Sequence, residues 1–310
     1  KKGYHGVTMA AGSMTALAYA QDGFGLPLDF VKHTSAPDFY NGSLPGENEE
    51  DFASRCAADL EALILNEGPD TVAALFAEPV MGAGGVIIPP KTYFSKIRAV
   101  LEKYDVLLVA DEVICGFGRT GNMFGTTTMK LVPDMIVCAK GLSSAYLPIS
   151  ALMINERVFK EMSEKSDEIG VFGLTFTYSG HPVSAKVAIE TLKIYEEKNI
   201  VEHVRQMEPF LLNGLRELSY HPLIGEIRGK GLLAGVELVA NKKTKKPFDP
   251  KLGVGKFCAE RAEHHGLIIR AIGDTISFCP PLIIKENEIA LMISLFKKAL
   301  DDTLVITSET

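Results

Sequence analysis

The stretch VLLVADEVICGFGRTG, residues 106–121, contains a short apolar run that ends on two carboxylates, Asp111 and Glu112. A second stretch, PDMIVCAKGLSSAYLPIS at residues 133–150, brings Lys140 to the end of an apolar run in the same way. Continuous aliphatic and β-branched runs of this length, bounded by turn residues, predict buried parallel strands. Because chemistry in open α/β sheets gathers at the carboxyl ends of the strands, we expect Asp111 and Lys140 to lie side by side at one sheet edge.

Helical and strand patterns alternate around these two runs. The pattern after Asn48, FASRCAADLEALILNEG, predicts a helix that Gly68 ends. A strand is predicted over residues 71–77, so that Glu78 becomes a third charged residue at a strand end. The alternation continues with a helix over 92–104 and a strand over 149–154. It predicts an α/β fold with a mostly parallel, doubly wound sheet.

The pattern changes at Pro182, which begins a long helix to about residue 198. The elements predicted after it form an α+β arrangement: helix 201–218, strand 231–239, helix 255–265, strands within 267–284 and a last helix over 286–300. The final residues, ITSET, are expected to fray. We therefore predict two domains, a partial large domain over residues 1–181 and a linking helix with a small C-terminal domain over residues 182–310.

Composition excludes several classes of function. The chain has 310 residues, is 46% hydrophobic and carries a net charge of -7 without a Lys/Arg block, which argues against nucleic-acid binding. No apolar run predicts a membrane span, and the N-terminal residues do not predict a signal peptide. Five scattered Cys without CxxC spacing predict reduced thiols and a cytoplasmic location, and the seven His, without an H-E-x-x-H pattern, predict no metal site.

The charged residues at the strand ends allow a specific chemistry. A partly desolvated lysine such as Lys140 forms a Schiff base with a carbonyl, and a buried carboxylate such as Asp111 pairs with a protonated ring nitrogen. Pyridoxal phosphate requires both. Hydroxyls for its phosphate are available at Ser143, Ser144 and in residues 175–180. From spacing alone, a lysine that follows a strand, such as Lys140, is most often a solvated surface residue.

Two nucleotide-binding alternatives find less support in the sequence. The Asp111–Glu112 pair is also typical of a magnesium site in a nucleotide hydrolase, but such a site requires a G-x-x-x-x-G-K-[ST] loop, which the chain lacks. The glycines at 82–85 are followed by VIIP, which cannot open a helix, so the dinucleotide fingerprint also fails.

Seven motifs occur in an order that resembles one enzyme family. The chain resembles the class III, fold type I, pyridoxal-phosphate aminotransferases of the ω-aminotransferase (amine:pyruvate) group. The motifs are YHG at 4–6, EPVMGAGGVIIPP at 78–90, ADEVICGFGRTG at 110–121, AKGLSSAYLPISA at 139–151, FTYSGHP at 176–182, RGKGLLAGVEL at 228–238 and GLIIRAIGDTISFCPPLII at 266–284.

The resemblance implies roles for individual residues. Lys140 becomes the Schiff-base lysine that also shuttles the proton, and Asp111 the partner of the pyridine nitrogen. Arg270 becomes a mobile arginine that meets substrate carboxylates. The other implied site residues are Tyr4 at one ring face and the substrate, Val113 at the other ring face, His5 and Glu78 near the cofactor, and Phe176 and Thr177 at the phosphate of a neighbouring subunit's cofactor. The resemblance therefore also implies a homodimer or a higher homo-oligomer.

Some residues depart from the family pattern. Relatives carry roughly 100–150 residues before the YHG motif, including a phosphate-binding loop, and this chain lacks them. Ile114 replaces a common Gln, Ala83 replaces a Glu of ornithine-type relatives, and Leu174-Thr175 replaces His-Gly. The predicted function is transamination from an amine or ω-amino acid to a small 2-keto acid such as pyruvate. The alternatives are an aminomutase or decarboxylase on the same scaffold, and a non-catalytic α/β fragment.

Overall fold

The computed structural model describes residues 1–174 and 176–309, apart from the side chains of Ser308 and Glu309. Within these residues the α-helices are α1 Met9–Met14, α2 Phe39–Gly42, α3 Glu49–Glu67, α4 Tyr93–Lys103, α5 Gly125–Thr128, α6 Glu156–Ile169, α7 Pro182–Glu197, α8 Ile200–Glu217, α9 Val254–His264 and α10 Glu286–Glu309. The strands are β1 Ala74–Ala77, β2 Leu107–Asp111, β3 Met135–Cys138, β4 Ala151–Ile154, β5 Ile224–Lys230, β6 Leu233–Leu238, β7 Arg270–Ile272 and β8 Thr275–Phe278.

The first sheet has the strand order β1-β2-β3-β4. Strands β1, β2 and β3 run parallel, whereas β4 runs antiparallel to β3. The predicted α/β class with a mostly parallel sheet is therefore confirmed. The parallel strands place the end of β1, the end of β2 and the end of β3 at one edge of the sheet, where the charged residues follow.

Helices α3 and α4 form the core on one face of this sheet. The side-chain oxygen of Asn48 accepts the Asp51 N–H at 2.9 Å and caps α3, and Gly68, with φ +90°, ends it. Both boundaries were predicted from the sequence. The apolar residues that α3 and α4 bury against β2 include Phe52, Ala53, Cys56, Leu60, Ile64, Phe94, Ile97, Leu101 and Leu108.

The second sheet is fully antiparallel, with the order β5-β6-β8-β7. Helices α8, α9 and α10 supply most of its core, which agrees with the predicted α+β pattern. This core also includes Phe117 and Cys138 from the first part of the chain and Tyr195 from α7. The division into domains at residues 181 and 182 stays a prediction.

Three elements differ from the expectations drawn from the sequence. Strand β5 has the sequence IGEIRGK, which is too polar to predict a strand. Its Ile224 and Ile227 join the apolar core, whereas Arg228 is held by ion pairs with Glu226 and Glu237. Helix α6 was not predicted, although Val158, Phe159 and Met162 recur at helical spacing, and it buries no residue completely. Helix α10 continues to Glu309, past the predicted end at residue 300, and Thr303 in this extension is fully buried.

The cysteines differ in exposure. All five are free thiols, and Cys56, Cys115, Cys138 and Cys258 are buried, whereas Cys279 is exposed directly after β8. Burial raises the pKa of Cys56 and of Cys258 to about 11 and that of Cys138 to about 12. In the part of the chain that the structure describes, no helix is long and apolar enough to cross a membrane.

A glycine and an arginine join the two sheets. The Arg119 guanidinium donates hydrogen bonds to the carbonyl oxygens of Leu232 at 2.9 Å and Pro280 at 2.6 Å, and the Leu232 N–H donates to the Arg119 carbonyl oxygen at 3.0 Å. Gly231 precedes this contact with φ +61°, and a Cβ there would lie 2.3 Å from the Arg119 carbonyl oxygen. Only glycine allows the two backbones to approach this closely.

We expect Gly231→Ala to lower the free energy of unfolding by roughly 2–5 kcal/mol, because the new methyl group combines a left-handed backbone with a steric overlap. Gly273→Ala is the matched control, since Gly273 has φ +57° and nothing within 4 Å of its Cβ position. The control should lose about 1 kcal/mol from backbone strain alone. Urea denaturation measures both, and equal losses would show that the contact with Arg119 is unimportant.

Candidate active site

The register of the first sheet places three charged residues together. Ala77 pairs with Ala110, so Glu78 follows β1 beside the end of β2, where Asp111 lies. Asp111 in turn pairs with Val137 of β3, and Lys140 follows three residues later. The structure therefore places Glu78, Asp111 and Lys140 at the same edge of the sheet, as the apolar runs predicted.

The Asp111 carboxylate is buried and accepts two hydrogen bonds. Oδ1 accepts the Val113 N–H at 3.0 Å, and Oδ2 lies 2.9 Å from Nδ1 of His5. Because a carboxylate only accepts, the Nδ1 of His5 carries the hydrogen. The His5 backbone N–H donates to Oγ1 of Thr15 at 2.8 Å, and this hydroxyl donates to the Gly6 carbonyl oxygen at 2.9 Å. The N-terminal segment is thus bonded to the end of β2.

Glu78 connects the same N-terminal segment to the glycine loop at 82–85. Its carboxylate accepts the Tyr4 N–H at 3.1 Å and the Gly82 N–H at 2.9 Å. Burial raises the pKa of Glu78 to about 7, and the two N–H donors and His5 oppose that rise only in part. The neighbouring negative charge of Asp111 adds to it. Glu78 therefore titrates near neutral pH in a position where it holds two backbone segments together.

Glu112 binds the backbone at the start of α5 and thereby has a structural role. The residue is fully buried, and its carboxylate accepts the N–H groups of Gly125 at 2.8 Å and Thr126 at 2.6 Å. Burial raises the pKa of Glu112. Both carboxylate oxygens point at the first turn of α5, so Asp111 and Glu112 face different partners and do not form a shared ion site. Among the described residues, no group of His, Cys, Asp and Glu side chains could hold a metal ion.

Lys140 lies in an exposed turn. It begins a short 3-10 helix, Lys140–Leu142, and has a left-handed backbone with φ +42°, which is uncommon for a residue with a side chain. Within the described residues its amine takes part in no hydrogen bond or ion pair. Of the two serines expected to reach a phosphate, Ser143 donates its hydroxyl hydrogen to the Leu147 carbonyl oxygen at 2.6 Å, whereas Ser144 is exposed.

The two residues expected at a neighbouring subunit's phosphate lie in an exposed turn. The Phe176 side chain is 71% exposed, and Thr177 next to it is exposed as well. The Ser179 N–H closes the turn onto the Phe176 carbonyl oxygen at 2.9 Å. Thr175, which was also expected to offer a hydroxyl, lies outside the described residues. No hydrogen bond in the described part of the chain joins this turn to Asp111.

Arg228 holds the glycine loop against the second sheet. Its guanidinium donates to the carbonyl oxygens of Gly85 at 2.6 Å and Val86 at 2.9 Å, and it pairs with Glu226 at 2.6 Å and Glu237 at 2.7 Å. Val86 is β-branched and has φ +52°, a strained conformation that needs such support. Arg228 therefore forms structural ion pairs that hold this loop.

Arg270 lies on the same face of the second sheet as Arg228. Strand pairing aligns Arg228 with Gly235, Gly235 with Ser277, and Ser277 with Arg270. Residues paired across strands project to one face, and Gly235 on that face packs against Val86 of the glycine loop. Arg270 is exposed, and within the described residues its side chain forms no hydrogen bond or ion pair. The face that carries Arg270 is therefore the one turned towards the loop after Glu78.

The structure thus brings some of the predicted site residues together and leaves others apart. Tyr4, His5, Glu78, Asp111 and Val113 form one hydrogen-bonded group. The predicted residues that no hydrogen bond or ion pair within the described residues joins to it are Lys140, Phe176, Thr177 and Arg270. A cavity of about 610 Å³ extends from His5 and Glu78 along the outer edge of β1.

Sequence reasoning missed two residues of this region. Thr15, which positions His5, lies in a small, Ala-rich segment where no pattern marks it. Tyr195 of α7 donates its hydroxyl hydrogen to the Gly141 carbonyl oxygen at 2.8 Å, next to Lys140. Its position in a regular helical pattern indicates only a core residue, so the sequence carries no signal for this contact.

We expect the Glu78 carboxyl to make stability depend on pH. Its folded pKa of about 7 lies above the usual 4.5, so the folded state holds the proton more tightly than the unfolded state. Its contribution to stability is then complete below about pH 4.5 and is lost as the pH rises towards 7. Compared with Glu78→Gln, the wild-type free energy of unfolding should fall by up to about 3 kcal/mol more across this window.

Chemical denaturation at a series of pH values measures this difference. The exposed Glu196→Gln on α7 is the control and should follow the wild-type pH profile. Parallel profiles for the wild type and Glu78→Gln would contradict the raised pKa.

Comparison with known proteins places this geometry in a family. The model of the aminotransferase class-III family matches residues 1–300. Gamma aminobutyrate transaminase 3, chloroplastic, of Solanum lycopersicum is 50% identical over 302 residues, which are 97% of this chain and 58% of that protein. The chain therefore spans less than two thirds of the length of this relative.

Solved structures agree with the same grouping. The omega transaminase from Pseudomonas jessenii in complex with PMP has a TM-score of 0.97 and 51% identity, and the match covers 99% of this chain and 68% of that one. A structure described as a transaminase with L-ala has a TM-score of 0.96 and 52% identity, covering 100% and 73%. By its sequence and its fold over almost the whole length, the chain belongs to the class-III aminotransferase family.

Proposed function

We propose that the protein of which this chain is part is a pyridoxal-phosphate-dependent aminotransferase. It transfers an amino group from an amine or an ω-amino acid to a small 2-keto acid such as pyruvate. The observation that carries the proposal is the buried Asp111, oriented by His5, at the same sheet edge as Lys140, whose amine has no partner in the described residues. Membership of the family supports pyridoxal phosphate as the cofactor. The relatives' names, gamma aminobutyrate transaminase and omega transaminase, support amines and ω-amino acids as donors.

The chemistry of Asp111 fits pyridoxal phosphate. An ionised carboxylate accepts about four hydrogen bonds, and Asp111 uses two of them, with Val113 and His5. A protonated ring nitrogen is a suitable further donor. In a buried site this charge pair is stronger than in water, because fewer water dipoles screen it. When bound, the cofactor supplies an aldehyde that condenses with amines and a ring that accepts an electron pair from the substrate carbon.

His5 and Glu78 position this carboxylate indirectly. The Nδ1–H of His5 fixes the orientation of Asp111. Glu78 holds Tyr4 and Gly82, so the segment that carries His5 stays at the end of β2. In the proposed site, Tyr4 and Val113 lie on either side of the cofactor ring. Ile114 packs against Gly82, so no glutamine amide is available there for the ring hydroxyl.

Lys140 acts as the general base and acid. Its amine would hold the cofactor's aldehyde, and once released it would carry a proton to and from the substrate carbon. A primary amine that is not locked in an ion pair is suited to both roles, because it must be neutral in one step and protonated in the next. The same exposed turn gives it room to move.

Arg270 is the proposed carboxylate-binding residue. One pocket must accept a donor without an α-carboxylate and an acceptor with one, and a fixed, buried arginine would lose several kcal/mol when an apolar amine binds. Arg270 is exposed at the start of β7, beside the small residues Ala271 and Gly273. Ala83 offers no carboxylate to neutralise it. These features support plain amines and ω-amino acids as donors over α-amino dicarboxylates.

The proposed active unit is a homodimer in which Phe176 and Thr177 contact the neighbouring subunit's cofactor phosphate. Both residues lie in an exposed turn, and large apolar side chains around it are exposed, including Val171, Phe172, Leu174 and Tyr178. We also propose a cytoplasmic location, which the five free cysteines support. One relative is named as a chloroplastic protein, and cell fractionation would distinguish the two locations.

Mixing Lys140→Ala subunits with Thr177→Ala subunits tests the shared site. Each variant alone should be nearly inactive, and the mixed dimer should recover activity in the one site that has both groups intact. The control is each variant mixed with itself. No recovery, with a dimer visible by sedimentation, would contradict the sharing.

We expect sodium borohydride to fix the cofactor on the peptide that contains Lys140, because borohydride reduces a carbon–nitrogen double bond to a stable amine. Lys140→Ala should abolish this labelling and the activity. Lys160→Ala, which removes an exposed lysine of α6, should keep both. Peptide mass spectrometry of the full-length protein gives the result, and labelling of a different lysine would remove the basis of the proposal.

For Arg270→Ala, the half-reaction with pyruvate should lose roughly 2–5 kcal/mol in kcat/KM, the scale for loss of a charged partner. The half-reaction with a simple amine should change little, because that donor has no carboxylate. Arg216→Ala, at an exposed arginine of α8, is the control and should affect neither. Stopped-flow absorbance of each half-reaction separates the cases, and equal losses in both would mean that Arg270 is structural.

A further inference from the structure

We propose that Tyr195 of α7 is a positioning residue for Lys140, acting through the Gly141 peptide group. The proposal rests on the function proposed above, because it assigns Tyr195 a part in presenting the lysine amine. Tyr195 contacts neither the Lys140 side chain nor any reacting atom in the structure. Its effect is transmitted through one backbone carbonyl.

The backbone at Lys140 needs external support. Lys140 has φ +42°, and Ser144 and Ala145 in the same turn have φ +51° and +62°. Each such residue costs on the order of 1–2 kcal/mol relative to a right-handed backbone. Within the turn, the N–H groups of Ser143 and Ala145 donate to the Lys140 carbonyl oxygen at 3.2 Å, and the Ser144 N–H donates to the Gly141 carbonyl oxygen at 3.3 Å. These long bonds hold the Gly141 carbonyl only weakly.

Tyr195 and Phe117 both restrict Gly141. The Tyr195 hydroxyl donates to the Gly141 carbonyl oxygen at 2.8 Å. A Cβ on Gly141 would lie 3.0 Å from the Cβ of Phe117, so little space separates the glycine from this side chain. The two aromatic rings are nearly parallel, with centroids 6.3 Å apart and 16° between their planes. Tyr195 and Phe117 are both buried, so the clamp is rigid.

The clamp determines the direction of the lysine side chain. The Gly141 carbonyl belongs to the second peptide group after the Lys140 Cα, so holding it restricts the φ and ψ of Gly141 and, through them, the ψ of Lys140. A catalytic group held in one orientation reacts faster than one that samples several, because less entropy is lost on reaching the reactive geometry. Packing alone would be satisfied by phenylalanine at position 195. Only the tyrosine hydroxyl can donate the hydrogen bond to the turn.

Tyr195→Phe in the full-length protein is the test, because it removes the hydroxyl and keeps the ring. Hydrogen–deuterium exchange of the cofactor-free protein should show the amides of residues 142–146 exchanging roughly five- to tenfold faster, the effect of losing one ordinary hydrogen bond. The rate at which added pyridoxal phosphate becomes trapped on Lys140 by borohydride should fall by a similar factor. Tyr104→Phe, whose hydroxyl bonds to Glu61 far along the chain, is the matched control and should change neither rate.

A second variant keeps the test valid if Tyr195→Phe fails to fold. Gly141→Ala leaves the hydroxyl in place but presses on Phe117, so it should also speed amide exchange in residues 142–146 and slow trapping. Faster exchange with an unchanged trapping rate would show a purely structural contact and overturn the proposal, as would unchanged exchange. Absence of trapping on Lys140 in the wild type would instead remove the proposed function, while amide exchange would still report on the clamp.

Discussion

Two adjacent carboxylates are buried at the end of β2, and the arrangement of the site depends on satisfying them. An ionised carboxylate removed from water costs several kcal/mol unless hydrogen bonds replace its hydration. Asp111 obtains a donor from His5, 106 positions earlier in the chain, and Glu112 obtains two from the first turn of α5. The N-terminal segment and the loop before α5 are therefore fixed at one point. Successive residues along a strand face opposite sides. Asp111 and Glu112 therefore obtain their hydrogen-bond donors on different sides of the sheet.

The second sheet is attached to this centre through the glycine loop. Gly82 bonds to Glu78 on one side of the loop, while Gly85 and Val86 bond to Arg228 on the other. A displacement of the second sheet would therefore reach Glu78 through five residues of backbone. The ion pairs of Arg228 with Glu226 and Glu237 hold the guanidinium that supports the strained backbone at Val86. Arg270 on the second sheet and Asp111 on the first sheet are thus linked through this one loop.

The sequence predicts the elements whose patterns are local. Helix α3 follows from the Asn48 cap, its apolar spacing and Gly68, and the neighbouring positions of Asp111 and Lys140 follow from two apolar runs that end on charged residues. Local patterns do not predict strand β5, because Arg228 and Glu226 are buried by contacts that depend on the fold. The contact of Tyr195 with Gly141 depends on how α7 packs, and no residue spacing encodes that. Motifs identify residues such as Phe176 and Arg270, but only the fold shows which residues lie next to them.

The distribution of thiols gives the molecule a built-in attachment point for a reporter. Four cysteines are buried, and burial raises the pKa of each, so they react slowly with electrophiles such as maleimides. Cys279 is exposed, and it lies beside Pro280, whose carbonyl oxygen accepts a hydrogen bond from Arg119 of the first part of the chain. A fluorophore on this thiol would sit at the seam between the two sheets. Loosening of that seam by ligands or denaturants becomes observable as a change in emission, without the introduction of a single foreign residue.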